Sequence, residues 1–175
     1  MKDLKALISE QLSTLSLDDK IDFINDIRSH IHEESPFKNE PVDMVFWVKN
    51  DNVVANDYNP NSVAPPEMKL LERSIEADGY TQPIVSFPHD DVIEVIDGFH
   101  RHRVGKESAI ITERLLGYLP VVKIKHSQEN KNDRMASTIR HNRARGKHKV
   151  ESMAEIVIEL KRRNWSDKKI GNELG

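Results

Sequence analysis

The sequence predicts an α+β protein: a small sheet with interleaved helices, a helical extension before it and a helical module after it. Three observations carry that reading. Short runs rich in β-branched residues, DMVFWV, QPIVSF, VIEVID and LPVVKIK, are bounded by turn residues and read as strands. Between the first two lies PPEMKLLERSIEADGY, with Met68, Leu71 and Ile75 on one helical face. From Gln128 onward the patterning is helical.

Taken in order, LSLDDKIDFINDIRSHIHEE places Ile21, Ile24, Ile27 and Ile31 at helical intervals, with Ser16 or Asp18 as N-cap. The prolines of ESPFKNEP end it, so residues 1–42 form a helical N-terminal extension, as one helix or a hairpin. A strand at DMVFWV leads into the turn-rich NDYNPNSVAPP. The helix that follows has proline at its start and Gly79 at its C-cap. After the strands QPIVSF and VIEVID a helix begins at Phe99, and LPVVKIK is the last strand. DRMASTIRHNRAR, KVESMAEIVIELKRR and SDKKIGNELG read as helices, and Gly146 before KHK marks the joint between a core of residues 43–146 and a tail of residues 147–175.

The 175 residues are 37% hydrophobic, enough for one modest core. The absence of a long apolar run and of a charged-then-apolar leader argues against a membrane span and a secretory signal, and a cytosolic location is expected. Cysteine is absent, which excludes disulfides, thiolate metal sites and a cysteine nucleophile. The net charge of -3 hides a division: residues 1–43 hold ten Asp or Glu against five Lys or Arg, and residues 134–169 hold eleven Lys or Arg against four acids. Two solvated faces of opposite sign would explain this, as would a basic segment that meets phosphates.

The stretch VIDGFHRHRVG carries the chemistry. A strand that ends in Asp97 and Gly98 and opens into a helix lets backbone approach a ligand, while the first helical N–H groups point outward. Arg101 and Arg103 add planar cationic donors and His100 adds an imidazole, a combination suited to phosphate. From these residues alone a solvated basic helix fits equally well. A metal pair of His100 and His102 is disfavoured, because residues two apart on a helix point to different sides.

The wider pattern, NDYNPNSVAPPEMKLLERSIEADGYTQPIVSF followed by EVIDGFHRHRVGKES and then His141-Asn142-Arg143-Ala144-Arg145, resembles the N-terminal domain of the ParB and sulfiredoxin superfamily. The likeness runs over about residues 43–175 and keeps the family's three boxes in order. It implies a small mixed sheet with helices and a bound nucleoside triphosphate, CTP or ATP, with Mg²⁺. Thr81, Gln82, Pro83 and Ile84 would line the base and ribose side, and Gly98, His100, Arg101 and Arg103 would cradle the phosphates. Asn142 would help hold Mg²⁺ with Arg145 nearby on the phosphates, and Asp97 would serve either as a substitute carboxylate for the metal or as an ordinary strand-end cap. Relatives close as dimers, so a homodimer is expected.

Two departures matter. Sulfiredoxins need a cysteine where Phe99 stands, so their chemistry is excluded. ParB proteins carry a Glu where His141 stands, and imidazole is a poor ligand for a hard ion, which places hydrolysis in doubt while leaving binding intact.

The tail is similar to the IbrB-like co-activator branch and to the opening of a helix-turn-helix. Met153, Ile156, Val157 and Leu160 form one stripe, Ser166 caps a new helix, and Ile170 and Leu174 face inward. The recognition helix is expected beyond Gly175. Arg140, Arg143, Arg145, Lys147 and Lys149, followed by Lys161, Arg162 and Arg163 and by Lys168 and Lys169, would meet the DNA backbone. The expected function is a nucleotide-binding, DNA-associated regulator, a transcriptional co-activator or partition-like switch; the alternative is a nucleotide-dependent small-molecule kinase or phosphohydrolase. A nuclease is disfavoured for want of clustered carboxylates.

Overall fold

A computed structural model describes residues 2–56, 64–89, 91–124, 134, 137–138, 157–158, 160–162 and 165–174. Helices α1 (Lys2–Thr14) and α2 (Leu17–Glu33) come first, then strands β1 (Phe46–Lys49) and β2 (Val53–Val54), and helix α3 (Pro65–Asp78). Strands β3 (Ile84–His89) and β4 (Val92–Asp97) precede helices α4 (Phe99–Glu107) and α5 (Ala109–Arg114) and strand β5 (Tyr118–Lys123). A further helix, α6, spans Asp167–Leu174.

The strands form one mixed sheet in the order β1-β5-β3-β4-β2. β1 and β5 are antiparallel, β5 and β3 parallel, β3 and β4 antiparallel, and β4 and β2 parallel. Val53, Ile84, Val95, Leu119 and Val121, all fully buried, form the sheet's core. Ile75, Val104 and Ile111 join α3, α4 and α5 in a second cluster.

Local signals explain the boundaries. Ser16 caps α2, accepting from the Asp19 N–H at 3.3 Å. Pro65 occupies the first turn of α3, and Gly79 ends it with φ 77°, its N–H bonded to the Ile75 carbonyl at 3.0 Å. The DMVFWV strand begins later than its patterning suggests, because Pro41–Asp43 form a 3-10 turn. QPIVSF likewise enters the sheet only at Ile84. The two-residue β2 and the break between α4 and α5 at Ser108, whose extended backbone (φ -79°, ψ 113°) stops one helix and starts the next, carry no strong local signal.

The second N-terminal helix, α2, is bound to the sheet. Asn25 of α2 donates from Nδ2 to the Trp47 carbonyl at 2.8 Å and accepts the Trp47 N–H at 3.1 Å. One side chain thus makes the bond pair that a neighbouring strand would make to edge strand β1. Arg28 donates to the Val45 carbonyl (3.3 Å), and Asp18 accepts from Lys49 (2.5 Å) and from the Tyr118 hydroxyl (2.6 Å). His32 Nδ1 meets Asp43 at 2.5 Å.

Candidate functional site

The site is built where β4 ends. Asp97 is the last strand residue and its side chain is only 4% exposed. Gly98 turns the chain with φ 90° and ψ 25°, a left-handed conformation that L side chains adopt at a cost, and its carbonyl accepts the His102 N–H at 2.8 Å to close the first turn of α4. The first N–H groups of α4 therefore face out from the turn.

Arg101 folds back over this turn. A Cβ at position 98 would stand 2.8 Å from Arg101 Nη2 and 3.1 Å from its Nε, so the guanidinium lies directly against the glycine. Nη1 donates to Gln82 Oε1 at 2.6 Å, and Nη2 stands 3.6 Å from Asp97 Oδ2. The Tyr80 hydroxyl donates to the Arg101 backbone carbonyl at 2.6 Å, and burial pushes the Tyr80 phenol up to about 12. Residues Tyr80 and Gln82 of the α3–β3 loop thus grip the α4 turn.

His100 occupies the same turn. Both ring nitrogens are buried without a hydrogen-bond partner, and the ring packs edge-on against Phe99 at 5.5 Å between centroids. Burial, followed by the Arg103 charge, lowers its pKa and favours the neutral imidazole. His102 differs: it is buried and its Nε2 lies 3.0 Å from the Val53 carbonyl, tying α4 to β2. The two histidines point to different environments, as helical geometry requires.

Of the remaining residues singled out in the sequence, Thr81 and Gln82 are exposed, Pro83 is half-buried, and Ile84 gives its side chain to the core. Arg103 is exposed and bonded through Nε to both carboxylate oxygens of Glu107, at 2.9 and 3.0 Å. Asn142 and Arg145, with Arg140, Arg143, Lys147 and Lys149, lie outside the described residues. Arg134 pairs with Glu94 of β4 at 2.7 Å and stacks on Phe87, 5.0 Å from the ring centroid. At the other end of the chain Lys168 is exposed, while Lys169 lies 3.8 Å over the Trp165 ring and donates its backbone N–H to the capping Ser166 at 3.2 Å. Ile170 and Leu160 are buried.

Asn56 is a candidate site residue that sequence reasoning missed. It stands just past β2, donates from Nδ2 to the Val95 carbonyl at 2.7 Å, and is 9% exposed, with Oδ1 buried and unpartnered. The signal available was an Asn directly after the apolar VVA run and before the proline-containing turn. Among the described residues no cluster of three or more His, Asp or Glu is gathered as a metal cage. Asp97 and Asn56 Oδ1 are hard oxygen donors, the donor type that Mg²⁺ prefers.

The sheet order and the helices packed on it give a ParB-like fold. Residues 148–175 match the family described as the IbrB-like C-terminal HTH domain. The chain belongs to the same family as YbdM, an uncharacterized protein of Escherichia coli strain K12, with 54% identity over 169 residues that cover 96% of this chain and 79% of YbdM. Among solved structures, the C-terminally truncated chromosome-partitioning protein ParB from Caulobacter crescentus, complexed to the centromeric parS site, aligns with a TM-score of 0.50 at 16% identity over 74% of this chain and 64% of that one. The same ParB complexed with CTP-gamma-S aligns with a TM-score of 0.49 at 15% identity over 75% and 71% of the two chains. No helix among the described residues is long and apolar enough to cross a membrane.

Proposed function

We propose that this protein is a nucleotide-responsive, DNA-associated regulator in which a nucleoside triphosphate, CTP or ATP, bound at the turn after β4 biases a C-terminal DNA-binding module. One observation carries the reading. A left-handed glycine turn, the start of a helix, an arginine laid across the turn and a buried imidazole with no protein partner stand together at one strand end. An unpartnered buried imidazole costs folding free energy of about 1–3 kcal/mol, which a ligand hydrogen bond recovers.

In this reading Gly98, His100 and Arg101 receive the phosphates, and Arg103 joins them by exchanging Glu107 for the ligand. Thr81, Gln82, Pro83 and Ile84 flank the base and ribose. Asp97 and Asn142 would hold Mg²⁺, and Arg145 would meet the phosphates. When bound, the ion supplies the positive charge that screens the triphosphate oxygens. Residues 1–42, 43–146 and 147–175 act as extension, nucleotide domain and helix-turn-helix module of a cytosolic homodimer. Arg140, Arg143, Lys147, Lys149, Lys168 and Lys169 provide affinity for the DNA backbone, which weakens as salt rises.

Calorimetric titration of the whole chain with each of the four ribonucleoside triphosphates and Mg²⁺ tests the proposal. At least one binds with micromolar affinity and Arg101→Ala removes it; failure of all four sinks the nucleotide reading. Gel retardation of duplex DNA at low salt, with and without that nucleotide, tests the regulatory half.

A further inference from the structure

Helix α2 presents two faces of opposite character. Asp18, Asn25, Arg28 and His32 make polar bonds to β1 and to the residues just before it. Phe23, Ile27 and Ile31 recur at every fourth position on another side, and with Leu4, Leu7 and Ile8 of α1 they line a groove of about 820 Å³. Leu4, Leu7 and Ile31 are 62, 61 and 63% exposed, so the groove lies open along the helices and suits an elongated partner better than an enclosed small molecule.

We infer that this groove docks an amphipathic helix of another protein, one that carries Lys or Arg beside its apolar face. Charge selects the occupant. Among the described residues that line the groove the acids are Glu10 and Asp26, and none is Lys or Arg. Exposed Asp22, one turn before Asp26, extends the acidic border along α2. Such a border attracts a cationic segment and turns away nucleic acid and anionic lipid, whose phosphates it repels. A second copy docked groove to groove would set Glu10 and Asp26 against acids of the same kind. Helix α1 has 13 residues, a length of about 20 Å, which a partner helix of similar length spans with apolar anchors repeating along one face.

The probe is a fluorescein-labelled synthetic helix of about 14 residues with leucine along one face and lysine beside it, together with a counterpart in which glutamate replaces each lysine. Both are titrated with the whole chain and read by fluorescence anisotropy. The lysine peptide binds, and the glutamate peptide binds roughly ten-fold more weakly or not at all. Leu7→Gln, a change at an exposed position, weakens the lysine peptide about ten-fold at an unchanged melting temperature, and Ile31→Gln does the same from the facing helix. Glu10→Gln combined with Asp26→Asn brings the two peptides closer in affinity and flattens the salt dependence. Equal affinity for the two peptides, binding of neither, or a lysine-peptide affinity that neither Leu7→Gln nor Ile31→Gln changes overturns the inference. A dimer in sedimentation that Leu7→Gln dissociates overturns it as well, because the groove then belongs to a second copy of this chain.

Discussion

Two polar clusters sit on opposite borders of the same sheet and are finished differently. Along β1, Asn25, Arg28, Asp18 and His32 of α2 each meet a backbone group or an opposite charge. At the end of β4, His100 and Asn56 keep buried polar atoms with no protein partner. Buried hydrogen-bonding capacity that a fold leaves unused is expensive, so it marks a place kept for something else. The first cluster is completed by the chain itself, and under the proposed function the second is completed by a ligand.

The largest way to sharpen this contrast is Arg101→Ala, which lowers nucleotide affinity by at least ten-fold in calorimetry while leaving the fold intact by circular dichroism. Gly98→Ala comes next. A left-handed alanine costs about 1–2 kcal/mol, and its methyl group displaces the Arg101 guanidinium, so stability in denaturant titration and ligand affinity fall together. At the other border Asn25→Ala strips the edge strand of both its surrogate bonds and destabilises by about 1–3 kcal/mol. That change leaves nucleotide affinity alone, and a matching loss of affinity would erase the distinction between the two clusters.

Smaller effects follow pH. His100 has a lowered pKa because of burial and Arg103, so the folded state prefers it neutral. A bound phosphate favours the protonated ring, so affinity measured from pH ~8 down to pH ~6 rises, and His100→Gln flattens that rise. Asp18 is held low by its bonds to Lys49 and Tyr118, and Asp43 by His32. Stability from both is complete above the ordinary carboxylate range and is lost as pH falls through their folded values, below pH ~4. Asp18→Asn and Asp43→Asn reduce the steepness of acid unfolding followed by fluorescence.

Much of this was legible in the sequence. VIEVID supplied β4 residue for residue, Pro65 and Gly79 bracketed α3, and Gly98 marked the turn, because each signal is local. The N-terminal helices were legible as helices but not as partners of β1, since Asn25 and Trp47 are 22 residues apart and only the tertiary fold joins them. The grip of Gln82 on Arg101 was hidden for the same reason: both were assigned to a ligand, and nothing in their spacing says that they hold each other. Arg103 looked equivalent to Arg101, yet two positions along a helix turn a side chain to a different side, where Glu107 receives it.

The Asn25 bond pair reaches beyond the stability of a single helix. An uncovered outer strand is a template on which a second polypeptide can lengthen a sheet, the first step toward fibrous aggregates. Here one border is occupied by a side-chain amide and the other ends in a strand of two residues, too short to serve as a template. Among the described residues, then, neither outer strand of the sheet offers a second polypeptide a long continuous backbone ladder.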